Sequence, residues 1–166
     1  GVSALLLANS DLQKYQQYTF TNWPAGLYTT MGISGSRSAG GLSSAWAVIK
    51  HLGTTGYQEI VSEILEARDR LIDGINRING LYVVGSPDSY LVAIGSDDFD
   101  ILEIDNLMSD KGWINSQLHK PPAMHLFLDR ANAMNIEHYL NELADTITAY
   151  HAGERAAERD PIEYAL

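Results

Sequence analysis

Cysteine is absent from the 166 residues. That removes a disulfide framework, a thiolate nucleophile and any Cys-based zinc site. Positive charge is scarce: 11 Lys and Arg face 21 Asp and Glu, leaving a formal net charge of -10. Such a balance argues against nucleic acid or an anionic membrane surface as the main partner. It does not argue against a small phosphorylated ligand, because one local cationic pocket can oppose the global field. Long apolar runs are missing as well. The stretch Val2 to Ala8 is far too short to span a bilayer and lacks the basic flank of a signal peptide. Internal repeats and low-complexity tracts are also wanting. These absences predict a soluble, cytoplasmic protein with no membrane span.

What is present suits a globular core. Hydrophobic residues make up 45% and charged residues 19%, enough for one domain or one domain with a smaller appendage. "VSALLLAN" reads as a buried strand, and "KYQQYTFT" (14–21) as a further strand or irregular structure. "NWPAG" signals a turn. A helix is expected from Gly40, with Leu42, Ala45, Trp46, Ile49 and Leu52 at helical spacing and Gly53 ending it. A longer helix follows over about 57–79. Its apolar face holds Ile60, Val61, Ile64, Leu65, Leu71, Ile72, Ile75 and Ile78, and the pairs Glu66/Arg70 and Asp73/Arg77 lie on the other.

Two strand-like runs, 81–85 and 90–96, flank the Ser86-Pro87-Asp88 turn. Another helix is expected over about 100–110, with Gly112 beyond its end. "WINSQLH" and "AMHLFLD" read as strands around Pro121-Pro122, and a last helix starts near Asn135. The order from residue 55 is helix, two strands, helix, two strands, helix. It predicts an α+β layer with helices on one face of a mostly antiparallel sheet. Residues 1–53 read as the end of something else, 54–152 as a small α+β domain, and 153–166 as a charged tail.

The segment "LYTTMGISGSRSAGG" (27–41) carries the sharpest chemical signal. Gly35, Ser36 and Arg37 stand just before a helix start, where backbone N–H groups and the helix dipole favour an anion. Ser36 adds a hydroxyl and Arg37 a forked cation, a sound set for phosphate. A Gly/Ser surface loop with a helix cap explains the same residues. Tyr28 lies in this segment, away from any regular core face, and is a candidate acid or hydrogen-bond donor. Tyr57, Tyr82 and Tyr139 fall on core-facing positions and read as packing. His119 and His125 flank the Pro-Pro turn, but no third ligand stands at a suggestive spacing, so no metal is expected. Asp97, Asp98 and Asp100 lack the spacing of a calcium loop and read as a polar turn with a helix N-cap. No Gly-x-Ser-x-Gly elbow is present.

"WPAGLYTTMGISGSRSAGG", followed by "AWAV" and later by "GWINSQLHKPPAMH", resembles the C-terminal part of the sphingosine phosphate lyases. These belong with the pyridoxal-phosphate-dependent group II decarboxylases of the aminotransferase-like fold (fold type I). The resemblance covers about residues 1–150. It implies a homodimer with active sites at the subunit interface, where the loop matching residues 26–37 reaches the neighbouring subunit's cofactor. Tyr28 matches an active-site tyrosine. Gly35, Ser36 and Arg37 match the motif beside the cofactor phosphate, and Ser38-Ala39-Gly40 departs mildly from the family's run after the Arg. His119 and His125 become structural or peripheral.

Other departures are larger. Such enzymes hold the cofactor on a lysine, and none of Lys14, Lys50, Lys111 or Lys120 has the family's His-Lys context. The aspartate for the pyridinium nitrogen and the ring-stacking histidine are expected upstream. The family's Tyr-containing Gly-rich motif is not evident in "HAGERAAERDPIEYAL". The resemblance therefore implies the C-terminal portion of a pyridoxal-phosphate-dependent carbon–carbon lyase, acting on a small phosphorylated amino substrate and not catalytic alone. An amino-acid decarboxylase of the same superfamily and a non-catalytic α+β dimerisation module are the alternatives.

Overall fold

The computed structural model describes residues 2–33 and 35–157. The chain divides into two compact units, Gly1–Thr55 and Gly56–Leu166.

The first unit opens with extended chain and a 3₁₀ turn, Ser10–Tyr15. The strand expected at "VSALLLAN" does not form, because a buried strand needs neighbours on its edges and none of the described chain pairs with it. Strand β1 (Tyr18–Trp23) and strand β2 (Gly26–Thr30) make an antiparallel hairpin. Trp23-Pro24-Ala25-Gly26 turns the chain, with Gly26 at a φ of 104° that only glycine adopts without strain. Thr19 and Thr29 face each other across the ladder with their hydroxyls 3.2 Å apart, and Gln17 donates to both at 3.1 Å. The first residues of the Gly-rich segment are thus strand. Helix α1 (Ala39–Ile75) then begins, with the Ser38 hydroxyl accepting from the Gly40 N–H at 3.2 Å. The helical run resumes after Gly53, whose φ of 60° and ψ of −171° interrupt it.

In the second unit, strands β3 (Leu81–Val83), β4 (Leu91–Ser96), β5 (Ser116–His119) and β6 (Pro122–Phe127) form an antiparallel sheet in the order β3-β4-β6-β5. Helix α2 (Ile101–Asp110), the short α3 (Arg130–Ala133) and α4 (Ile136–His151) complete it. Alternation along β4 and β6 sends Val92, Ile94, Met124 and Leu126 into the core. There they meet Leu71 and Ile75 of α1, Ile104 and Met108 of α2, and Leu143 and Ile147 of α4. Burial of each such side chain contributes about 1.5–3 kcal/mol. The α+β architecture with an antiparallel sheet agrees with the sequence pattern.

Several local expectations are corrected. Residues 113–115 lie outside any strand, because the chain leaving α2 is held by a helix-end motif. Gly112 has a φ of 96°, the Gly112 N–H donates to the Ser109 carbonyl at 3.0 Å, and the Trp113 N–H donates to the Met108 carbonyl at 3.0 Å. Asp129 does not end a strand; it caps α3 in a reciprocal box with Asn132 at 2.7 and 2.8 Å. The long helix ends at Ile75, and Val61 is exposed. Arg70 donates to the Ala133 carbonyl at 3.2 Å, and among the described residues no ion pair joins Glu66 to Arg70 or Asp73 to Arg77. A long-range pair forms instead, Arg130 with Glu63 at 2.5 and 2.8 Å. Tyr57 and Tyr82 are partly exposed rather than core residues, and only Tyr139 is buried. Of the expected tail, residues 158–166 lie outside the described residues.

Asp100 does cap α2, accepting from the Leu102 and Glu103 N–H groups at 3.0 and 3.3 Å. Asp100→Ala is expected to cost about 1 kcal/mol, read as a lower urea midpoint at unchanged slope. Tyr139 poses a different case. Its hydroxyl is buried and meets hydrogen-bond geometry with no group. Burial chiefly, and then the Asp105 carboxylate, push its pKa well above the ordinary value, offset in part by the nearby Asn115 amide. A raised folded pKa gives stability that is complete below the unfolded value of about 10 and is lost as pH rises above it. Tyr139→Phe is therefore expected to gain about 1 kcal/mol at neutral pH and to weaken the alkaline fall in stability, measured by urea unfolding at pH 7 and above pH 10.

Candidate functional site

The site grows from the hairpin of the first unit. Period-2 alternation along β2 puts Tyr28 and Thr30 on one face, with Thr29 on the other. Tyr28 pairs with Phe20 across the ladder, and its ring lies 6.5 Å from that of Trp23. Beyond the strand, the Thr30 hydroxyl donates to the Gly32 carbonyl at 2.7 Å and accepts from the Gly32 N–H at 3.3 Å. That local loop folds the chain back on itself. A Cβ at Gly32 would stand 3.2 Å from Nη2 of Arg37, so the bare glycine lets the guanidinium lie against the backbone.

The result is an open concavity of about 760 Å³ lined by the run Tyr28, Thr29, Thr30, Met31 and Gly32, by Gly35 and Arg37, and by Ser3, Leu5 and Gln16 of the preceding chain. The structure thus gathers three of the four expected site residues, Tyr28, Gly35 and Arg37, on one surface; Ser36 is not on its wall. Gly35 has open space around it and no left-handed φ, so neither close packing nor backbone conformation among the described residues requires a glycine there. Gln16, Thr30 and Gly32 went unremarked in the sequence. The alternation of β2 could have found Thr30; nothing local points to Gln16. The helix start is no open anion site at the Gly40 N–H, which Ser38 already caps.

Charge is divided unevenly. All but one of the 21 acidic residues follow Thr55; before it stand only Asp11 against Lys14, Arg37 and Lys50. The concavity therefore sits in a locally cationic part of an acidic chain, and Arg37 is exposed in it with no ion-pair partner among the described residues. A guanidinium with a hydroxyl and backbone N–H groups suits a phosphate. What the surface lacks is an amine. Lys14 lies on the ring of Tyr15 at 5.2 Å, and Lys111 in the second unit donates to Thr146 at 2.9 Å. The residues fit the phosphate arm of a cofactor and not its covalent anchor.

His119 and His125 sit on β5 and β6. His119 faces Pro122 across the ladder, and His125 packs against Phe127 with ring centroids 4.7 Å apart. Among the described residues no group of three or more His, Asp or Glu side chains is placed to hold a metal ion. Nor is any helix among them long and apolar enough to cross a membrane.

Comparison with known proteins agrees with the resemblance carried by the Gly-Ser-Arg and Pro-Pro motifs. The chain is 37% identical over 164 residues to a sphingosine-1-phosphate lyase of Oryza sativa, which covers 98% of this chain and 30% of the relative. A solved sphingosine-1-phosphate lyase of Burkholderia pseudomallei superposes on 84% of this chain and 32% of its own, at TM-score 0.77 and 27% identity. A Lactobacillus brevis glutamate decarboxylase shares the fold at TM-score 0.66 and 16% identity, over 85% of this chain and 35% of its own. No protein-family model matches the chain. The chain spans about a third or less of the length of these relatives, and its fold is that of part of a fold type I enzyme.

Proposed function

We propose, starting from a chain related to the sphingosine-1-phosphate lyases along nearly its whole length, that it is the C-terminal portion of a pyridoxal-phosphate-dependent carbon–carbon lyase. The reaction of the intact enzyme is cleavage of a phosphorylated sphingoid base to an aldehyde and phosphoethanolamine. Amino-acid decarboxylation is the second reading, supported by a 26% identical L-aspartate decarboxylase of Thermococcus kodakarensis among the relatives. The observation that carries the reading is the cationic concavity in which Arg37 lies against Gly32 beside Tyr28 and Thr30.

Pyridoxal phosphate supplies an electron sink when bound; this chain supplies part of its seat. Arg37 binds the phosphate as a forked cation, with the open backbone at Gly35 on the same wall and Ser36 off it. Tyr28, braced by Trp23 and Phe20, places a hydroxyl where it can hold or pass a proton. The lysine anchor belongs to a part of the protein outside these 166 residues. The concavity serves the cofactor of the neighbouring subunit in a homodimer, in the cytoplasm.

Apolar exposure in the first unit supports this. No described residue before Gly56 is buried, and Leu6 is 91% exposed. A surface of that kind is an interface awaiting its partner. Tyr28→Phe in the intact enzyme tests the role of the hydroxyl. Turnover is expected to fall about 10²-fold, the scale of acid–base contributions, at unchanged melting temperature. An equal loss of stability would make Tyr28 a packing residue.

A further inference from the structure

Strand register decides which side chains of the second unit's sheet face away from the helices. Val92, Ile94, Met124 and Leu126 join the core with residues of α1, α2 and α4. Their neighbours along each strand, and the partners of those neighbours across the ladders, lie on the other face. That outer face carries Tyr82 on β3, Leu91 and Ala93 on β4, Leu118 on β5, and His125 and Phe127 on β6. Among the described residues none of these six joins the core cluster. Tyr82 is 36% and Phe127 53% exposed.

An antiparallel sheet with one face in water alternates apolar inward and polar outward. This sheet breaks the rule. No Lys, Arg, Asp or Glu occupies an outer position on any of its four strands, although the unit around it is acidic. A Cβ at Gly95 would stand 2.6 Å from the Tyr82 ring, so that ring lies directly on the β4 backbone and keeps the platform low. Beside the platform is a cavity of about 190 Å³, whose lining includes Ser116, His125 and Phe127 together with Ile114, which is 87% exposed. A cavity of about 150 Å³ takes benzene, so this one has room for one apolar side chain, the usual anchor of a docked surface.

Area and length choose the occupant. At about 3.4 Å along and 4.8 Å across per residue, the four strands present about 300 Å². Association of separate molecules takes about 800 Å² per partner, whereas contacts between domains of one chain start at about 300 Å² a side. The relatives are long enough to supply such a domain, since the matched part is 30% of the Oryza sativa lyase and 32% of the Burkholderia pseudomallei structure.

We propose that the outer face of this sheet is an intramolecular docking surface, covered in the intact protein by an apolar surface of the same polypeptide outside these 166 residues. The proposal rests on reading the chain as a portion of a longer protein, but lyase activity does not enter its test.

Hydroxyl-radical footprinting of the 166-residue chain and of the intact protein, read by peptide mass spectrometry, is that test. In the 166-residue chain Tyr82, Leu91 and Phe127 are expected to oxidise readily while the buried Tyr139 stays slow. In the intact protein all three are expected to slow several-fold, to the level of Tyr139. A benzophenone side chain in place of Phe127 in the intact protein is expected to cross-link within one polypeptide, to a residue outside these 166, at monomer mass. Tyr82 and Phe127 oxidising faster than Tyr139 in the intact protein would overturn the proposal. So would a cross-linked product of dimer mass, which assigns the face to a partner subunit. Slowing of the same residues in the 166-residue chain as its concentration rises would overturn it too, by placing a second copy there. An inactive protein with this face covered would fail the lyase reading alone, and an active one with the face open would fail this proposal alone.

Discussion

Arg37→Ala in the intact enzyme is expected to lower kcat/KM by about 10²–10³-fold, the scale on which a positioned charge at a reacting centre is missed. It should also raise the pyridoxal phosphate concentration needed for half-maximal activity, while the melting temperature without cofactor stays in place. The reasoning is local. Arg37 is exposed, has no ion-pair partner among the described residues, and stands in a stretch whose only acidic residue is Asp11. Its removal costs the fold nothing visible and costs the concavity its one guanidinium. Arg37→Lys should recover only part of the loss, because a point charge does not reproduce the fork. Gly32→Ala makes a milder companion: the added Cβ, 3.2 Å from Nη2, shifts the guanidinium by a few tenths of an ångström without removing it. A kcat/KM of Arg37→Ala within twofold of wild type would detach the concavity from the chemistry.

Gly74→Ala is the largest stability effect expected. On a bare helix it would help, since alanine is the better helix former by about 1 kcal/mol. Here an added Cβ would stand 2.2 Å from Cδ1, 2.7 Å from Cδ2 and 3.0 Å from Cγ of Leu140. Leu140 is itself buried in the core cluster with Leu71, Ile75 and Leu143, so its whole side chain would have to move. Overpacking of that kind costs about 1–3 kcal/mol or more. The expected result is a net loss of about 2 kcal/mol in urea unfolding, with Leu140→Ala added to Gly74→Ala behaving non-additively because the two sites share one space. A stability gain in Gly74→Ala would show that α1 and α4 do not approach at this point.

How far the sequence carried the fold depended on where the information was local. Helices α2 and α4 were legible because their apolar spacing, and at α2 the cap as well, is self-contained. Asp100 caps as its position suggests, and Ile136, Tyr139, Leu140, Leu143 and Ile147 all end buried. "VSALLLAN" misled because its apolar composition implies burial, while strand formation needs edges that composition does not reveal. Trp113 looked like the start of a strand because a helix-end motif depends on backbone geometry at Gly112, not on the apolar pattern after it. The short α3 hid behind an apolar run whose last residue, Asp129, is a cap. At the candidate site, Tyr28 and Arg37 could be read from the Gly-Ser-Arg context. Thr30 was open to the alternation of β2, but the chain reversal that its hydroxyl holds with Gly32 was not.

The central claim is that this chain builds the phosphate-binding wall of a pyridoxal phosphate site and contributes no lysine to hold the cofactor. Borohydride reduction of the 166-residue chain with pyridoxal phosphate, followed by peptide mass spectrometry, tests it directly. Only scattered, substoichiometric pyridoxyl-lysine is predicted, as for any exposed amine. Stoichiometric labelling at one of Lys14, Lys50, Lys111 or Lys120 would contradict it.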